Sequence, residues 1–134
     1  MNGFEAYIKE RFGIVLPDWV VIEKNGDRFR MMNKQISEEK PKNFVSKGIV
    51  CGRQTTFGIK PTSDFIQLFG NLADKNVVLI SREEMLEYVK GKDLERGFDF
   101  ENGYVVLKFE KHVVGVGLCM NGKIKNQVAK IKRI

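Results

Sequence analysis

The dipeptide Asn121-Gly122 constrains this chain more tightly than any other local feature. It stands between two strand-like runs, and both central positions of a type I′ turn need positive φ, which Asn and Gly tolerate. It therefore reads as a two-residue β-hairpin. "VVGVGLCM" (113–120) precedes the turn and "KIKNQVAKIKR" (from 123) follows it. A third run, "YVVLKF" (104–109), lies just upstream, so the chain ends in antiparallel β-structure.

The same hairpin concentrates charge. Residues 111–134 contain Lys111, Lys123, Lys125, Lys130, Lys132 and Arg133 and no acidic residue, whereas residues 1–110 hold 17 basic and 17 acidic side chains. The whole net charge of +6 thus sits in the final segment. A solvated face normally mixes signs; one sign on one element is the footprint of a polyanion partner, with a solubility face as the plainer alternative. Alternation puts Lys123, Lys125 and Gln127 on one side of the last strand and Ile124 and Val128 on the other. Lys130 and Lys132 then fall out of phase, which predicts a bulge or break within "NQVA". Gly115 and Gly117 share one face, against Val114, Val116 and Leu118. Such glycines mark a barrel corner or a close approach by a ligand, and the corner is the simpler reading.

Upstream, Phe4, Ile8 and Phe12 recur at helical spacing over 2–12, and Gly13 stops the helix. A hairpin follows, "WVVIEK" and "RFRMMNK" joined at Asn25-Gly26-Asp27. The polar stretch 35–43, broken by Pro41, reads as a loop. "FVSKGIVCG" and "TTFGIK" are strands with a turn at Gly52-Arg53-Gln54. Thr62 or Ser63 caps a helix carrying Phe65, Leu68, Phe69 and Leu72 on one face. "KNVVLIS" is a strand. Ser81 and Glu84 form a capping box for the helix "REEMLEYVK", which Gly91 ends. The order α-β-β-β-β-α-β-α-β-β-β, with hairpin-linked strands, predicts an α+β fold. Its 43% hydrophobic and 30% charged residues are those of an ordinary folded domain.

Catalytic patterns are lacking. The single histidine, His112, stands beside a predicted turn without a partnered carboxylate or nucleophile. Cys51 and Cys119 lack metal-ligand spacing and read as small, reduced core residues. Gly115-Val116-Gly117 lacks the third glycine and following helix of a dinucleotide site. Glu83, Glu84 and Glu87 read as a solvated helix face near a favourable N-terminal dipole. No apolar leader opens the sequence, and runs such as "WVVI" are far too short to span a bilayer. The expectation is a cytoplasmic protein without cofactor, metal, small-molecule substrate or membrane partner.

Tyr88-Val89-Lys90-Gly91, Gly103-Tyr104, the run from Val113 to Leu118 and the run from Gly122 to Arg133 together resemble a known domain. It is the C-terminal PUA-like domain of RsmF-type ribosomal RNA cytosine methyltransferases and of stand-alone archaeal relatives. Arg11-Phe12-Gly13-Ile14 and the Gly-rich middle resemble the region before it. Val116 stands where that family often has Trp, and Ala129 where it often has Pro. Neither Cys51 nor Cys119 has the setting of a catalytic methyltransferase cysteine. Small ribosome-biogenesis factors with an α/β domain ahead of a PUA domain are similar at lower resolution. The resemblance implies an N-terminal α+β region (1–74), with mixed or antiparallel strands, and a PUA-like β pseudobarrel (75–134). It implies a non-catalytic RNA-binding protein acting on rRNA or tRNA in modification or ribosome biogenesis. The alternative is an adaptor binding an RNA methyltransferase or a ribosome-assembly protein in trans. Lys123, Lys125, Asn126, Lys130, Lys132 and Arg133 are the predicted RNA contacts, with Lys47, Arg53 and Lys60 secondary to them.

Overall fold

Helix α1 (Gly3–Phe12) forms because Phe4, Ile8 and Phe12 stack on one face, and all three are fully buried. Gly13, at φ 72°, ends the helix as expected, and its N–H donates to Lys9 O. The structure is a computed structural model that describes residues 3–35 and 48–133. Most of the predicted 35–43 loop, the start of the predicted strand at 44 and Lys47 lie outside the described residues.

Beneath α1 runs a four-stranded antiparallel meander: β1 (Val20–Asn25), β2 (Arg28–Asn33), β3 (Ile49–Thr55) and β4 (Gly58–Pro61). The first hairpin turns at Gly26-Asp27, close to its predicted place. The second departs from expectation: Gly52, Arg53 and Gln54 lie inside β3, and the turn is at Thr56-Phe57. Gly58 takes the positive φ (113°), while Thr55 Oγ1 accepts from Phe57 N and donates to Gly58 O. Gly52 serves packing instead of turning. A Cβ there would stand 2.5 Å from Cε1 of Phe4, so glycine lets α1 settle on the sheet.

Thr62 caps α2 (Ser63–Phe69), its hydroxyl accepting from Phe65 N and donating to Val50 O. The buried face is Phe65, Ile66 and Phe69. Leu68 and Leu72, predicted to share it, are 60% and 51% exposed. The helix is wedged against β3 on one side and the C-terminal sheet on the other, which rotates its inner face toward Ile66.

The second sheet contains β5 (Val77–Leu79), β6 (Gly103–Phe109), β7 (His112–Met120) and β8 (Lys123–Asn126), in that order. β5 runs parallel to β6, and the other pairs are antiparallel. Between β5 and β6 lies α3 (Arg82–Val89), with both bonds of the Ser81/Glu84 capping box in place. Gly91, at φ 101°, follows its C-cap. Asn121 (φ 53°) and Gly122 (φ 80°) make the expected left-handed turn. Lys34 and Gln35 are helical where the end of a strand and a loop are predicted; the order of the other described helices and strands is the predicted one, and the fold is α+β.

Both faces of this sheet are buried. Tyr104, Val106, Val116 and Leu118 join Phe4, Phe65, Ile66 and Cys51 in one cluster, which therefore crosses residue 75. Val105, Leu107, Cys119 and Ile124 form a second cluster with Val78, Ile80, Tyr88, Leu94 and Phe98. Cys51 and Cys119 are free thiols buried in different clusters, and burial pushes the Cys51 thiol up to about 12. Gly117 lies under Ile124, where a Cβ would meet Cγ2 at 2.6 Å. The predicted alternation fails at one point. The β6–β7 register skips Val114, so this bulge sends Val114 to the second cluster while Val116 stays with the first.

Candidate nucleic-acid interface

The β3–β4 hairpin places Arg53 directly opposite Lys60. Like charges across a strand pair repel. Neither forms an ion pair with a carboxylate among the described residues. Burial, and secondarily the Arg53 charge, hold the Lys60 ammonium below its usual pKa. Two cations without an ion-paired carboxylate among the described residues are thus presented side by side.

The C-terminal segment supplies a third. β8 breaks within "NQVA", as the change of phase predicts: it stops at Asn126, and Lys130–Lys132 is a single 3-10 turn. This ends the strand alternation, and no bulge is needed to explain the change of phase. Lys132 reaches the wall of a cleft that Arg53 and Lys60 also line. The cleft has a volume of about 490 Å³. Its remaining polar lining comes from Thr62, Ser63, Asp64 and Gln127, and its apolar lining includes Val50, Val89, Val116 and Val128. The β7 bulge brings Val114, Gly115 and Val116 to it consecutively, which a regular strand would not do.

The tail is fastened by α3. Tyr88, fully buried, donates its hydroxyl to Val116 O at 2.5 Å and accepts from Gln127 N at 3.0 Å. Burial raises its pKa far above the ordinary tyrosine value. The Asn126 carboxamide donates to Tyr88 O at 2.7 Å and Lys92 O at 2.9 Å, and accepts from Val128 N. Its backbone N–H donates to Asp93 Oδ1. Asn126, predicted as an RNA contact, spends both amide donors on the backbone and acts as a clamp on the tail.

The other predicted contacts among the described residues do not line the cleft. Lys123 and Lys125 are exposed on β8, opposite Met120 and Leu118. Lys130 is exposed at the start of the 3-10 turn. Arg133 donates from Nε to Val128 O at 3.3 Å and lies over Gly91. Lys47 lies outside the described residues. The cleft therefore unites the two described secondary candidates, Arg53 and Lys60, with one primary candidate, Lys132. Sequence reading missed Thr62 as a lining residue and preferred a barrel corner to a ligand contact for Gly115. Placing the turn at Thr56-Phe57 would have revealed the Arg53–Lys60 pairing.

Among the described residues no cluster of His, Cys, Asp and Glu could hold a metal ion, and no helix is long and apolar enough to cross a membrane. The fold and cleft describe a small α+β protein whose C-terminal sheet presents a basic, PUA-like surface. Residues 75–134 match the methyltransferase RsmF PUA domain family. Over 105 residues, 75% of the chain, the protein is 31% identical to Ribosomal RNA small subunit methyltransferase F of Psychromonas ingrahamii. That match covers 19% of the relative, so the chain spans about a fifth of the protein it resembles. The matched length exceeds the PUA segment, so the similarity extends into the N-terminal half.

Proposed function

We propose that the protein binds structured RNA, with ribosomal RNA as the principal target and tRNA as the second, and performs no catalytic step of its own. The observation that carries this reading is the convergence of Arg53, Lys60 and Lys132 on one cleft, without ion-paired carboxylates among the described residues. Lys123, Lys125 and Lys130 extend the positive surface and would follow the phosphate backbone outside it. The PUA family match of residues 75–134 and the rRNA methyltransferase relative support an rRNA-modification context.

With about five phosphates engaged, log K should fall against log salt with a slope of about −3.5 on single-stranded RNA. Charge reversal of Arg53, Lys60 and Lys132 together should abolish binding in a fluorescence-anisotropy titration with rRNA fragments. Alanine at Lys123, Lys125 and Lys130 should weaken it evenly across sequences. A salt-independent affinity, or full binding by the charge-reversed protein, would refute the reading.

A second reading, an adaptor for an RNA methyltransferase or a ribosome-assembly protein, is favoured by an apolar surface. Trp19, Ile49 and Leu68 are all exposed around a shallow depression floored by Met31 and Phe69. A methyltransferase that co-purifies after nuclease treatment, and is lost with Trp19→Ala, would support it over direct RNA binding.

A further inference from the structure

Cations on a flat or convex surface hold a phosphate backbone from outside. In this protein they surround a recess. Its volume of about 490 Å³ lies within the roughly 300–1,000 Å³ of sites that enclose small molecules. Its lining mixes charge with aliphatic side chains: Val50 of the N-terminal sheet, Val116 of β7 and Val128 of the tail line it alongside the cations. Such a mixed lining suits an amphiphile with an anionic end and a flat, weakly polar body.

Resting on the RNA-binding reading above, we infer that the cleft admits one unpaired nucleotide, its phosphate held by Arg53, Lys60 and Lys132 and its base lodged against the valine side chains. A paired base cannot enter such a recess, because its faces are stacked and its Watson–Crick edge is occupied. Single-stranded loops and bulges present bases that can be splayed out. Asp64 is the acidic lining residue, and its carboxylate would accept from a base amino group or a ribose hydroxyl. Among the described residues no aromatic side chain lines the cleft, so the base would be held without being stacked on a ring.

Gly115 makes the inference testable. A Cβ built there meets no atom within 4 Å, and its φ lies outside the left-handed range that disfavours side chains. This differs from Gly117, two residues along, which lies under Ile124. Gly115→Leu should therefore fold normally while filling the recess and leaving every cation in place. The probes are a synthetic RNA hairpin with 2-aminopurine in its loop and a blunt RNA duplex with the same stem sequence.

The wild-type protein should prefer the hairpin and raise the 2-aminopurine fluorescence as the base leaves its neighbours. Gly115→Leu should lose hairpin affinity by roughly tenfold or more, matching the weaker duplex binding, with circular dichroism and Tm unchanged. Asp64→Asn should reduce the hairpin preference by a smaller factor. Equal binding of hairpin and duplex by the wild-type protein, or undiminished hairpin binding by a folded Gly115→Leu, would overturn the inference while leaving RNA binding intact. Failure of the wild-type protein to bind either RNA would remove the RNA-binding reading itself, and this inference with it.

Discussion

The two halves of the molecule differ in how they are held together. Residues after 75 build one cluster entirely from their own side chains, with Tyr88, Phe98 and Leu94 closing over Val105, Leu107 and Ile124. Among the described residues the N-terminal half has no such private core. Phe4, Phe12, Phe29 and Phe65 are buried only in company with Tyr104, Val106, Val116 and Leu118 from the other half. Polar contacts repeat the pattern: Arg11 donates to Tyr104 O at 2.8 Å, Asn76 Nδ2 donates to Arg11 O, and Thr55 Oγ1 meets Tyr104 OH at 2.9 Å. The C-terminal half is thus a module with one spare apolar face, and the N-terminal half is what covers that face. The cleft lies on their junction, so the binding proposed there would depend on the docking of the two.

This comparison can be broken most directly in the cores. Phe4→Ala removes a ring that touches Phe29 at 5.5 Å and Phe65 at 5.1 Å between centroids, and should cost about 3–5 kcal/mol. Ile124→Ala, in the private cluster, should cost about 2–5 kcal/mol. Because the first cluster spans both halves, calorimetry should show one transition, shifted down by either substitution. Two resolved transitions, with Phe4→Ala moving only one, would show that the halves fold independently.

Much of this architecture was legible in the sequence because local signals and tertiary needs agreed. The capping box at Ser81, the Asn121-Gly122 turn and the Phe4/Ile8/Phe12 stripe each specify a backbone geometry without outside help. The failures fall where packing overrides local chemistry. Gly52 looks like a turn residue but makes room for the Phe4 ring. Leu68 and Leu72 fit a helical stripe, yet the wedge between two sheets buries Ile66 in their place. The basic tail could be read as charge and as a break within "NQVA", but not as a shape. That β8 ends at Asn126 is dictated by hydrogen bonds to Tyr88, Lys92 and Asp93, more than thirty residues away in sequence. The cleft was half legible for the same reason: its cations were visible singly, whereas their convergence depends on the junction.

Tyr88→Phe is a subtler probe of the same division. It keeps the ring but removes the hydroxyl shared by Val116 O and Gln127 N. Leaving those buried groups unpaired should cost about 1–3 kcal/mol. The effect should stay within the C-terminal module: hydrogen exchange should quicken at the Gln127 and Val128 amides and stay unchanged in β1 and β2. Loosening the tail should also weaken Lys132's contribution, so Lys132→Ala should cost less RNA affinity in the Tyr88→Phe background than in the wild type. Additive losses would mean that the clamp does not position the cation.

The smallest expected effect lies at the start of α3. Ser81→Ala removes the hydroxyl that caps Glu84 N and should cost about 1 kcal/mol. Its partner gives a pH signature. Burial alone would raise the Glu84 carboxyl, but hydrogen bonds from Arg96 and the Ser81 N–H, together with the Arg96 charge, hold it below the usual carboxylate range. A carboxylate whose folded pKa is depressed contributes stability that is fully present above its unfolded pKa and is lost as pH falls through the folded value. Between neutral pH and the acid side of the carboxylate range, near pH 4 and below, wild-type Tm should therefore fall further than that of Glu84→Gln. Equal acid sensitivity in both proteins would mean that the capping box contributes no charge-dependent stability. In that case the C-terminal module would rest on its apolar cluster and the Tyr88 clamp alone.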